Sequence, residues 1–138
     1  MTKLDIAMNQ LRTSIQLYNK GNFISSITLA GAAEEILGKI AAKKANRNAL
    51  LDEKVIIDQL AEMFNKQKPA LKKVIESRYK TKNELKHNDL GKDSEVKNID
   101  FRYQAEELII GAINNYMIIF DKEPKDRVIK SFWEWISL

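Results

Sequence analysis

Apolar residues recur at helical spacing along nearly the whole chain, and almost nothing interrupts them. Leu4, Met8, Leu11, Ile15 and Tyr18 follow one another at intervals of four, three, four and three. That is the stripe an α-helix buries on one face. Only five Gly and two Pro occur in 138 residues, too few for the turn-dense connections of a β-sandwich or barrel. An all-α fold is predicted: one up-and-down bundle of four to five helices over about residues 3–120, plus a short C-terminal helix within 124–138. The length suits a single core, so residues 1–138 are expected to form one domain.

Punctuation divides the pattern. The first helix is predicted from Lys3 to Lys20 and ends at Gly21-Asn22. A second, capped by Ser25 or Ser26, runs to about Lys44 with Ile27, Ala30, Ala33, Ile36 or Leu37, and Ile40 inward. Its small residues Ala30, Gly31, Ala32 and Ala33 let a neighbour approach closely, which places this helix at the bundle centre. A shorter helix from Asp52 to Asn65 is expected to turn Val55, Ile56, Leu60 and Phe64 inward, with Asp52 as its cap. Pro69 suits the first turn of the next helix, which carries Leu71, Val74 or Ile75, Arg78, Tyr79, Lys82 and Leu85 and stops near Asn88-Asp89-Leu90-Gly91. After a polar loop, Asp100 caps the last long helix, whose stripe from Phe101 to Phe120 is the most continuous in the chain. The crowded tail aromatics Phe132, Trp133 and Trp135 cannot all face one core, so they cover a groove on the bundle or on a partner.

Composition removes several chemistries. With no Cys, neither disulfides nor thiolate metal sites nor cysteine nucleophiles are available, and a reducing cytoplasm is the expected location. The most apolar run, Leu108 to Phe120, is broken by Gly111, Asn114 and Asn115, so no membrane span is expected. The amino terminus enters an amphipathic pattern without the apolar core of a secretory signal. Neither a phosphate-binding glycine loop nor a serine elbow is present, so no cofactor is predicted.

The formal charge of +4 is unevenly spread. Nine basic residues and three acids fall between Lys66 and Lys92, which leaves the remainder net acidic. A concentrated positive surface attracts phosphates, so RNA or a nucleotide is the indicated partner. The only histidine, His87, lies at the end of this stretch, and imidazole is the side chain that exchanges protons near neutrality. Asn83 and Glu84 precede it by four and three residues, hence on the same helical face, with Lys82 at the border. Lysine neutralises a phosphate oxygen, asparagine orients the group or the ring, and histidine moves the proton. Arg78, Lys80 and Lys86 supply further cationic positions along the strand. Glu84-Leu85-Lys86-His87 also has the Glu-x-x-His spacing of di-iron bundles, to which Glu34, Glu35, Glu106 or Glu107 would have to contribute; one histidine supplies only half the required pair, and Lys82 and Lys86 repel a cation. No metal is therefore predicted.

The bundle pattern with Lys82-Asn83-Glu84-Leu85-Lys86-His87 resembles the HEPN superfamily of small helical domains. Its signature is an Arg, commonly followed by a polar residue such as Asn, with four to six residues between the Arg and a His. Asn83 and His87 fit, and Lys82 stands where the family has Arg. Lysine offers phosphate a point charge where arginine offers a planar fork. The helix containing Leu29-Ala30-Gly31-Ala32-Ala33-Glu34-Glu35-Ile36-Leu37 shares the family's small and acidic character. The resemblance implies a metal-independent endoribonuclease, or a catalytically silent relative that binds RNA or nucleotide, beside an antitoxin or nucleotidyltransferase partner. It further implies a homodimer whose two motifs share one cleft, with His87 as acid or base, Lys82 as phosphate clamp and Asn83 as orienting group. Glu34 or Glu35 is then expected to anchor Lys82. The alternative is a non-catalytic protein-interaction bundle whose contact is the Trp133 and Trp135 tail.

Overall fold

The computed structural model describes the backbone of residues 1–86 and 99–138 and the side chains of 1–80 and 99–138. His87 and the predicted stop and loop from 88 to 98 lie outside the described residues. Among those described there are six helices and no strand: α1 (Lys3–Asn19), α2 (Phe23–Ala45), α3 (Ala49–Met63), α4 (Leu71–Lys86), α5 (Phe101–Phe120) and α6 (Arg127–Ile136). The chain is an all-α helical bundle.

Local chemistry sets the boundaries. A reciprocal capping box starts α1: the Asp5 amide donates to Thr2 Oγ1 at 3.1 Å, and the Thr2 amide donates to the Asp5 carboxylate at 2.8 Å. Gly21 at φ +81° turns the chain back from α1 to α2, its left-handed backbone letting the Asn22 amide reach the Leu17 carbonyl. Asn22 caps α2, earlier than the expected Ser25 or Ser26. The caps of α3 and α6 are Asn48 and Asp126, and α5 has Asp100 as expected. Asp52 instead pairs with Arg47 at 2.7 Å. Pro69 sits two residues ahead of α4 rather than in its first turn.

Helices α2 and α5 form the centre. Ala30, Ala33, Leu37 and Ala41 of α2 meet Ala105, Leu108, Ile109, Ala112 and Ile113 of α5, all buried. Alanine on both sides permits close approach of the two backbones. Helix α1 packs on α2 through Ala7, Leu11, Ile15 and Tyr18, while Leu4 and Met8 are half-buried at its edge. Ser14 and Ser26, both fully buried, stitch that interface, each hydroxyl donating to the other residue's carbonyl at 3.0 and 2.9 Å. Helix α6 closes over α1: Phe132 meets the Tyr18 ring edge-on, and Arg12 binds Asp126 at 2.6 Å. The tail aromatics thus cover their own bundle, with Trp135 half-exposed beside Tyr18.

Helix α3 departs from expectation. Val55, Ile56, Leu60 and Phe64, predicted inward, are 54%, 57%, 48% and 68% exposed, and no residue of α3 is buried. The apolar stripe is present, but no helix among the described residues covers it.

Candidate functional site

Helix α4 carries the basic segment, and its attachment decides how that segment is held. Val74 and Tyr79 are its described buried apolar side chains, a modest anchor for sixteen residues. The remaining grip is electrostatic. Arg78 Nε donates to Glu34 Oε1 of α2 at 2.6 Å, and Nη1 donates to Glu53 Oε2 of α3 at 2.5 Å. One guanidinium therefore joins three helices. The Arg78 side chain is 11% exposed and that of Glu34 1%, so water can replace little of what each charge gains from the other.

Gly111 of α5 makes the space. A Cβ added there would fall 2.2 Å from Arg78 Nη2 and 3.0 Å from Glu34 Oε1. Any other residue at this position would push into the ion pair. Burial raises the Glu34 carboxyl to about 7, against the opposing pull of Arg78, and the nearby Glu53 and Glu35 charges push in the same upward direction. Glu34 Oε2 is buried with no hydrogen-bond partner among the described residues. Burial likewise raises the Tyr79 hydroxyl, with Glu34 adding to the effect and Arg78 opposing it.

A seam of amides continues from this cluster. Asn115 accepts from the Ala49 amide at 2.7 Å and donates to the Glu34 carbonyl at 3.3 Å. Asn48 donates to the Gly38 carbonyl at 3.0 Å and caps α3 by accepting from the Leu51 amide at 2.8 Å. The start of α3 is thereby fixed to α2 and α5. Beyond that end, α3 and α5 stand apart and leave an open groove of about 840 Å³, with Arg78, Glu53 and Gly111 on its floor.

The sequence-predicted site residues are distributed as follows. Arg78, expected to bind nucleic acid, is turned into the bundle, where two carboxylates hold its charge. Glu34, expected to anchor Lys82, holds Arg78 one helical turn earlier. Lys80 is exposed. Lys82, Asn83 and Lys86 belong to the last turns of α4, their side chains outside the described residues, as is His87. Three of the carboxylates weighed for a metal have separate engagements: Glu34 with Arg78, Glu106 with the Tyr18 hydroxyl and Arg102, and Glu107 with the Tyr103 hydroxyl.

The sequence held a signal for the missed cluster. Ala30, Glu34, Leu37 and Ala41 share one helical stripe, so an acid there must be buried and must find a cation. No family model, curated protein or solved structure matches the chain.

Proposed function

We propose that this chain is a HEPN-like helical domain that binds RNA or a nucleotide through the end of α4 and cleaves RNA without a metal ion. The observation that supports this reading is the clamp on α4. Arg78, locked to Glu34 and Glu53, fixes the helix one turn before Lys82, and the helix continues to Lys86, directly before His87. A motif on a fixed helix loses little freedom when it meets a phosphodiester, which is how positioning lowers a barrier.

On this proposal His87 exchanges a proton with the ribose 2′-hydroxyl or the leaving oxygen, Lys82 neutralises the phosphate, and Asn83 orients the group. Lys80 and Lys86 add charge along the strand. Arg78 serves as internal anchor rather than as a ligand. A homodimer brings two such motifs to one cleft, and an antitoxin or nucleotidyltransferase is the associated partner. The absence of Cys suits a cytoplasmic setting. No helix of the described residues is long and apolar enough to cross a membrane.

The test is cleavage of a mixed single-stranded RNA in EDTA by wild type, His87→Ala, Lys82→Ala and Lys82→Arg, with matched helical circular dichroism. Wild type is expected to leave 2′,3′-cyclic ends. His87→Ala should abolish cutting, Lys82→Ala should weaken it, and Lys82→Arg should retain it. Failure of wild type both to cut and to bind RNA at low salt would reject this reading in favour of the non-catalytic interaction bundle, which the uncovered stripe of α3 independently favours.

A further inference from the structure

We propose that the groove between α3 and α5, with the apolar edge of α3 that prolongs it, is a docking surface for a cationic amphipathic helix of a partner protein. The surface is distinct from the end of α4 and goes beyond the RNA reading.

On the α3 side the stripe runs through Ile56 and Ile57 in the groove and continues past it to Leu60, Met63 and Phe64, exposed by 48%, 75% and 68%. These positions recur at helical spacing, so they form one continuous ridge. On the α5 side, Ile110, Met117 and Ile118 line the groove while their inner edges rest on the core. Two apolar walls separated by an open channel are the shape into which a helix lays anchors at i, i+3 or i+4, and i+7. A contiguous apolar surface of this kind on a small domain marks a binding site.

The charges choose the occupant. Four carboxylates line the groove (Asp52, Glu53, Glu107 and Asp121) against two guanidiniums, Arg47 and Arg78. Both guanidiniums are already engaged, Arg47 by Asp52 and Arg78 by Glu34 and Glu53. Glu107 and Asp121 have no cationic partner among the described residues. The groove is therefore negative between apolar walls, which repels a polyanion and attracts lysine or arginine flanking an apolar stripe. A second copy of this chain is disfavoured on the same ground. A symmetric dimer through this face would set the acidic patch against itself, and like-charge juxtaposition is costly.

Isoleucine-methyl NMR of the full chain tests this, with two probes of identical apolar pattern: a Leu/Lys amphipathic helical peptide of about five turns and its Leu/Glu counterpart. The Leu/Lys peptide should shift the methyls of Ile56, Ile57, Ile110 and Ile118 saturably and leave Ile15 and Ile27 unmoved. The Leu/Glu peptide should bind at least about tenfold more weakly, and the exposed double variant Glu107→Lys/Asp121→Lys should reduce Leu/Lys binding by a similar factor. Equal binding of both peptides, shifts confined to other methyls, or no binding would overturn the proposal. So would a dimer in sedimentation equilibrium that Ile56→Asp dissociates, since the face would then be occupied by a second copy.

Discussion

Helices α2 and α3 are neighbours in sequence and of similarly apolar composition, yet one is the most enclosed part of the molecule and the other has no buried residue. The difference lies in the size of the side chains. Helix α2 presents Ala30, Gly31, Ala33, Gly38 and Ala41, so α1 and α5 approach its backbone and seal it. Helix α3 presents Val55, Ile56, Leu60, Met63 and Phe64, bulky residues that hold any neighbour at side-chain distance. Small residues on α2 let its neighbours close around the large ones beside them, such as Ile27 and Leu37, whereas the large residues of α3 stay at the surface. The polar ties that hold α3 are Asn48 on the Gly38 carbonyl, the Ala49 amide on Asn115, and Arg78 on Glu53.

The sharpest way to test this contrast is to remove the charge at its centre. Above about pH 7, where Glu34 is ionised, Glu34→Ala leaves Arg78 with only the more exposed Glu53 as its counter-charge, and uncompensated buried charges cost about 3–5 kcal/mol. Urea denaturation should report a loss of that size. The same carboxyl gives stability a pH dependence. Its folded value of about 7 lies above the ordinary 4.5, so between these limits the folded state keeps a proton that the unfolded chain has released. The stability that this carboxyl contributes is therefore full below about pH 4.5 and declines as pH rises to about 7, by about 3 kcal/mol at 1.36 kcal/mol per unit. Asp5 and Asp126 are shifted downward instead, and their contributions are lost only at more acid pH. Glu34→Gln should flatten the slope between pH 5 and 7, whereas a profile unchanged by that substitution would place the titrating group elsewhere.

Gly111→Ala comes next and turns on a sign. In an exposed helix the change would stabilise by up to about 1 kcal/mol through propensity. Here the new methyl meets Arg78 Nη2 at 2.2 Å, and overpacking a filled interior costs about 1–3 kcal/mol. A lower urea midpoint would confirm that the guanidinium has no room to move; a higher one would show that the clamp can rearrange.

Much of the architecture was legible in the sequence because helical periodicity and caps are local. Leu11, Ile15, Leu37, Ile109 and Ile113 are buried where the stripes put them, and α5 begins at the Asp100 cap. Partnership between stripes is not local. The pattern of α3 is as regular as that of α1, and nothing within α3 states that its stripe would lie uncovered among the described residues. The ion cluster was half legible: Glu34 falls on a buried stripe, but Arg78, Lys82 and other nearby cations were all eligible to meet it. Position along α4 selected Arg78, and that choice depends on how α4 crosses α2. Gly111 was visible as a break in an apolar run, while its purpose required three helices in place.

The smallest effect separates the two helices most cleanly. Ile56→Ser and Leu60→Ser each remove a large apolar side chain from α3. Were these residues packed as the periodicity suggested, each substitution would cost several kcal/mol, as at Leu37→Ala or Ile109→Ala, where about 2–5 kcal/mol is expected. Because both are about half-exposed, the transfer term is largely absent and no cavity opens, so each change should fall within about 0.5 kcal/mol of wild type. Serine also lowers helix propensity by a few tenths of a kcal/mol, which sets the residual sign. A loss above about 1.5 kcal/mol in the isolated chain would mean that α3 is covered in solution, and sedimentation of the same samples would show whether a second copy covers it. Near-neutral stability would leave the ridge open for a partner, with the polar cap and the Arg78 clamp sufficient to hold α3 on the bundle.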